Sequence, residues 1–459
     1  MFSRREFLDR SLKTSSLIAL GGAAVPGFLA DTARAAEQGQ ENILVIVEMT
    51  GGNDGLNTVI PYADDLYHKA RPTLRYQKNA IVRIDDHIGL HPALRPLDQL
   101  QQQGQLAIVQ GIGYPNPNRS HFESMDIWQT GDPRGRTING WLARALSDLQ
   151  VRGGRIPALH LGQSKLPLAL TGSDTGVPSL NSEKPFGLDL IGEFYGHQPD
   201  GVPRNKFRDL PDPVSTPQVA REATDRNKKS KGPGRKQLIQ DLTRLSPHKN
   251  GLLQFVRKTS LDTYTTLDRL QEIMGSKFQV PAAQNDFTGG RFRQLRSGLQ
   301  YELMLVAAMI KAEFGTRIFY VSIDGFDTHS SQKDAHQQLL SKLGAAIQGF
   351  FAQLESSGDA KRVVLMTYSE FGRRVRENGS KGTDHGSGSS MFVAGPAVNG
   401  GLIGEHPSLE PDQLDSGDLK HHTDFRRVYA ALLDGWLGCD SRRVLGERFQ
   451  PLELLKAKA

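Results

Sequence analysis

The chain has 459 residues, of which 37% are hydrophobic and 23% charged, enough for one large α/β domain or two smaller ones. Its net charge of +6 is concentrated around Lys228-Lys229-Ser230-Lys231-Gly232-Pro233-Gly234-Arg235-Lys236. This stretch has no interleaved aromatic residue, whereas a nucleic-acid groove pairs charge with stacking groups; it reads as a solvated surface insertion, with no nucleic-acid partner.

The single cysteine, Cys439, excludes an internal disulfide. At the N-terminus, Ser3-Arg4-Arg5-Glu6-Phe7-Leu8 is a twin-arginine pattern, followed by an apolar run from Ser16 to Leu29 and the small-residue site Ala33-Arg34-Ala35. Gly21, Gly22 and Pro26 interrupt the run, which is too short to span a bilayer. Residues 1–35 are therefore expected to be a twin-arginine signal peptide, and 36–459 a mature periplasmic or extracytoplasmic domain without a transmembrane segment.

The mature chain opens with Asn42-Ile43-Leu44-Val45-Ile46-Val47-Glu48-Met49, an apolar run suited to the centre of a parallel sheet. It ends in Thr50-Gly51-Gly52-Asn53-Asp54-Gly55, where paired glycines permit a tight turn close to a ligand. A second strand, Leu106 to Gln110, leads to Pro115-Asn116-Pro117-Asn118-Arg119-Ser120-His121-Phe122-Glu123. Ser120 stands where a helix begins, and free N–H groups there favour an anion. Ser120-x-x-Glu123 is equally a capping box. Arg119 and His121 crowd the same turn, which tilts the reading toward a site.

A short helix is expected from Thr137 to Asp148, and short strands at Ala158–Leu161 and Leu168–Leu170. Residues 172–236, rich in Pro, Gly, Ser and charge, read as a surface insertion. Helices from about 237 to 274 and 291 to 314 precede a βαβ unit. Its strands are Arg317–Ile323 and Val363–Tyr368; between them lies a helix with Leu340, Leu343, Ile347, Phe350 and Leu354 on one stripe. The strands end in Asp324-Gly325-Phe326-Asp327-Thr328-His329 and Ser369-Glu370-Phe371-Gly372-Arg373. Then come Asp384-His385-Gly386 and a strand, Met391–Ala394. His421, His422 and Asp424 read as turn and cap residues before a last helix, with Cys439 buried behind it.

Carboxylates and imidazoles thus gather at several predicted strand ends, where ligands of parallel sheets sit. Asp54, Asp324, Asp327, His329, Glu370, Asp384 and His385 are the metal-ligand candidates. Asp327 and His329, two apart on extended chain, share a face. Ser120 is the candidate nucleophile and Arg119 the candidate anion clamp.

These motifs resemble the family catalogued as domain of unknown function 1501, over almost the whole mature length. The family looks like a branch of the alkaline-phosphatase and sulfatase superfamily. The resemblance implies an α/β fold, an alkaline-phosphatase-like three-layer sandwich with a mostly parallel central sheet, holding two divalent metals such as zinc, manganese or calcium. On that likeness Asp54 is the early Asp, Ser120 the nucleophile, Asp324 or Asp327 with His329 the Asp…His pair, and His385 the late His. Where the superfamily has an Asp-His pair, this chain has Glu370-Phe371, and Phe cannot coordinate. The function implied is an exported metal-dependent hydrolase acting on a small anionic phosphate or sulfate ester. The alternative is a non-catalytic extracytoplasmic binding or assembly protein with an exported protein partner.

Overall fold

In the computed structural model, residues 41–149, 156–162, 165–173, 176–180 and 298–457 are described. The twin-arginine segment, the helix expected at 237–274 and most of the expected insertion lie outside them. Among the described residues nine strands form the large sheet: β1 (Ile43–Thr50), β2 (Leu106–Gly113), β3 (Ala158–Leu161), β4 (Ser179–Leu180), β5 (Ile318–Asp324), β6 (Val363–Tyr368), β7 (Ser389–Ala394), β8 (Gly401–Ile403) and β9 (Thr423–Asp424). Their order is β8-β2-β7-β6-β1-β5-β3-β4, with β9 on β2. Only β7 runs antiparallel to its neighbours.

β1 occupies the middle because its residues alternate between two apolar layers. Val45, Val47 and Met49 face one core and Leu44 and Ile46 the other, as a strand covered on both faces requires. Five helices matter below: α1 (His121–Thr130), α2 (Trp141–Leu146), α3 (Leu299–Lys311), α4 (Gln332–Glu355) and α5 (Phe425–Ala430). α3 and α4 cover the first face and α1, α2 and α5 the second, giving three layers. The expected βαβ unit is present as β5-α4-β6, but β1 lies between its two strands. Leu168–Leu170, expected as a strand, is a 3₁₀ turn beginning after Pro167. Asp424 caps α5 through Arg426 N, and Cys439 is buried. No helix among the described residues is long and apolar enough to cross a membrane.

Topology gathers the site. β1, β5 and β6 are parallel and in register, with Thr50 opposite Asp324 and Glu48 opposite Tyr368, so their carboxyl-terminal loops emerge at one edge. β2, also parallel to them, delivers α1 to the same edge. The loop before β7 arrives there because β7 runs the other way.

Candidate metal centre

At that edge four side chains, from two loops and the first turn of α1, approach one another. Asp327 Oδ1 lies 3.0 Å from His329 Nε2, 3.2 Å from His385 Nε2 and 3.5 Å from His121 Nε2. The Nε2 atoms of His329 and His385 are 2.9 Å apart. His121, Asp327 and His385 each offer a ligand atom within 4.8 Å of the others.

The opposite ring nitrogens explain this arrangement. His385 Nδ1 donates to the Arg119 carbonyl at 2.8 Å, and His121 Nδ1 donates to Glu370 Oε1 at 2.8 Å. His329 Nδ1 faces Asp384 Oδ1 at 3.5 Å. Carbonyl and carboxylate oxygens only accept, so His121 and His385 each carry a proton on Nδ1 and, when neutral, a lone pair on Nε2. Lone pairs and a carboxylate oxygen turned toward one point repel unless a cation lies among them. His121 Nε2 is buried with no hydrogen-bond partner among the described residues. Metal-ligating histidines have this pattern, with the second nitrogen held by a carboxylate or backbone carbonyl.

The backbone is built for the approach. Gly51 and Gly52 both have positive φ, and a Cβ on Gly51 would collide with the Asp327 backbone N. Arg373, fully buried, donates to the carbonyls of Gly51, Gly52, Phe326 and Thr383 and to Asp327 Oδ1, tying the loops together. Burial would raise the Asp327 carboxyl; the Arg373 bond and charge, with the neighbouring imidazoles, outweigh it and hold the group below its ordinary range. The Glu370 bond pushes the His121 imidazole up, and burial pushes His385 down. The Asp327 and His329 side chains are 46% and 45% exposed, so the cluster opens to solvent.

The other sequence candidates fall elsewhere. Asp54 is fully buried in an ion pair with Arg71, and it also accepts from Gln332 Nε2 and Asn57 N. Its oxygens are engaged there, which corrects its reading as a ligand. Asp324 is exposed, with Oδ1 accepting from the next backbone N–H; it stands outside the cluster. Asp384 and Glu370 stand behind histidines. The Phe371 ring packs 4.8 Å from that of His121 and 4.7 Å from that of His385, forming a wall. Arg119 spends Nε and one Nη on Asp418, at 2.9 and 2.6 Å, so its guanidinium is no free anion clamp.

Ser120 begins α1, but its side chain makes no capping bond. Glu123, the other half of the expected capping box, bonds Asn118 instead. The hydroxyl is therefore not committed to a cap. His121 is the candidate ligand that sequence reasoning does not assign; the available signal is its place beside Ser120.

Fold and site define an α/β sandwich with a histidine-rich cluster at its strand-end edge. A family model described as "Protein of unknown function (DUF1501)" matches residues 199–447, more than half of the chain, which belongs to that family. No curated protein matches the sequence. Among solved structures, the chain is similar to Ps i-CgsB, with 8% identity over 89% of this chain and 73% of that one, at TM-score 0.32. It is also similar to PsFucS1 sulfatase from Pseudoalteromonas sp., with 10% identity over 91% and 70%, at TM-score 0.34. A protein in the alkaline phosphatase superfamily from Vibrio parahaemolyticus gives 9% identity over 78% and 61%, at TM-score 0.28. At these TM-scores nothing about activity passes from them to this chain.

Proposed function

We propose that the chain is a metal-dependent hydrolase of phosphate or sulfate esters, with one metal held by His121, His329, His385 and Asp327. The observation that carries this is the grouping of His121, His385 and Asp327 ligand atoms within 4.8 Å of one another, with His329 Nε2 close to Asp327 and His385 and the Nδ1 atoms of His121 and His385 bonded to acceptors. Three imidazoles and one carboxylate suit a zinc- or manganese-type ion; calcium wants six to eight oxygens. Such an ion, when bound, polarises an ester oxygen as a Lewis acid.

The protein's own groups do the rest. α1 starts beside the cluster with no side-chain cap, so its first N–H groups are available to an anionic ester group. Ser120, one residue from the ligand His121, is the proposed nucleophile. Arg373 and Gly51 hold Asp327 and its loop in place. Phe371 excludes water from one side of the histidines. On the same reading residues 1–35 are a twin-arginine signal and the domain acts outside the cytoplasm.

The test is turnover of aryl phosphate and aryl sulfate by the mature protein supplied with zinc or manganese, beside Ser120→Ala. Ester cleavage that Ser120→Ala abolishes supports the proposal. Stoichiometric metal with no turnover of either ester overturns the hydrolase and favours a binding protein.

A further inference from the structure

We infer that Glu370 is a positioning residue, not a metal ligand: it fixes His121 in the Nδ1–H form and so aims Nε2 at the convergence point. This rests on the metal site proposed above and deepens it.

Glu370 is fully buried, and both of its oxygens are engaged. Oε1 accepts from His121 Nδ1 at 2.8 Å and from Gly51 N at 2.9 Å; Oε2 lies 2.9 Å from Ser369 Oγ. The Gly51 bond anchors the carboxylate to the β1 loop, and Ser124 Oγ bonds the Glu370 carbonyl from α1. The carboxylate therefore sits between two elements whose relative placement decides where His121 points.

A neutral imidazole carries one proton. With that proton on Nδ1, His121 must present a lone pair at Nε2, and this atom is the one left buried without a hydrogen-bond partner among the described residues. The nearest carboxylate oxygen, Asp327 Oδ1 at 3.5 Å, is too distant for a well-formed hydrogen bond. Phe371 packs against the ring, with centroids 4.8 Å apart. The other two histidines have a backbone carbonyl and a half-exposed carboxylate as partners, so the buried Glu370 is the firmest of the three holds.

The experiment pairs metal titration with a tautomer measurement. Zinc affinity and the visible absorption of the Co²⁺ form are compared in wild type, His121→Ala and Glu370→Gln. ¹⁵N-histidine NMR of metal-free wild type, with His121 identified by its absence in His121→Ala, locates the ring proton. Glu370→Gln should weaken zinc about tenfold or more, in the range of losses at residues that orient metal ligands. At saturation its stoichiometry and Co²⁺ spectrum should match wild type, while His121→Ala changes the spectrum. The NMR should place the His121 proton on Nδ1, and this decides the matter if Glu370→Gln fails to fold.

Unchanged zinc affinity in Glu370→Gln, an altered saturated Co²⁺ spectrum in that variant, or a proton on Nε2 would overturn the inference. Failure of wild type to take up either metal would overturn the site itself, and the inference with it.

Discussion

Asp54 and Asp327 follow strands that pair side by side in the sheet, each in a Gly-containing loop, and each touches a guanidinium. They nevertheless do opposite things. Asp54 is sealed, and every contact it makes is with a donor: Arg71, Gln332 and the Asn57 N–H. Asp327 shares Arg373 with four backbone carbonyls and otherwise faces imidazole Nε2 atoms, with the protons of His121 and His385 held on the far side at Nδ1. A carboxylate among donors is a finished structural element. A carboxylate among acceptors is half of a binding site. The distinction lies in the direction of the neighbours' protons, which residue type alone does not reveal.

The comparison can be broken most forcefully at Asp54. Asp54→Ala strands Arg71 in the interior, and losing one partner of a buried pair costs about 3–5 kcal/mol. Chemical denaturation should show that loss in metal-free protein. A loss below about 1 kcal/mol would mean the pair is not structural.

At the other pole, His385→Ala and His329→Ala should leave the metal-free stability nearly unchanged and remove the stabilisation by metal. That stabilisation is about 2.7 kcal/mol when free metal is a hundredfold above Kd. A zinc-dependent rise in Tm retained by both variants would contradict the ligand assignment.

Acid sharpens the same contrast. Burial would raise the Asp54 carboxyl, but Arg71 outweighs it and leaves the group below its ordinary 3.8. A lowered carboxyl contributes stability that is complete above the unfolded value and is lost as pH falls through the folded one. Wild type should therefore lose stability as pH drops below about 3.8, and Asp54→Ala should lack that contribution. Identical acid limbs in the two proteins would refute it.

The smallest expected effect is at Ser120. Removing a working N-cap costs about 1 kcal/mol, but this hydroxyl makes no capping bond. Ser120→Ala should thus shift stability by less than about 0.5 kcal/mol, the range of ordinary surface changes. A loss of the full capping value would restore the capping role.

Much of this was legible in the sequence. The apolar runs of β1, β5 and β6, and the stripe on α4, are strong periodic signals, and their order implies a parallel sheet with loops at one edge. Asp327, His329 and His385 follow from that edge. His121 does not, because α1 is brought to the histidines by the packing of a whole layer, which no local pattern encodes. Nor could sequence separate Glu370 from the candidate ligands: the Gly51 N–H and His121 Nδ1 that claim its Oε1 lie far away in the chain. The gap at Phe371 is visible in sequence. That an imidazole from α1 stands against that phenyl ring is visible only in three dimensions.

The most direct test of a metal centre at this edge is elemental analysis of the mature protein, purified without chelators and re-exposed to zinc and manganese, beside His385→Ala. The account predicts close to one transition-metal ion per chain in wild type and a large loss in the variant. No metal in wild type, or equal metal in both proteins, would contradict it.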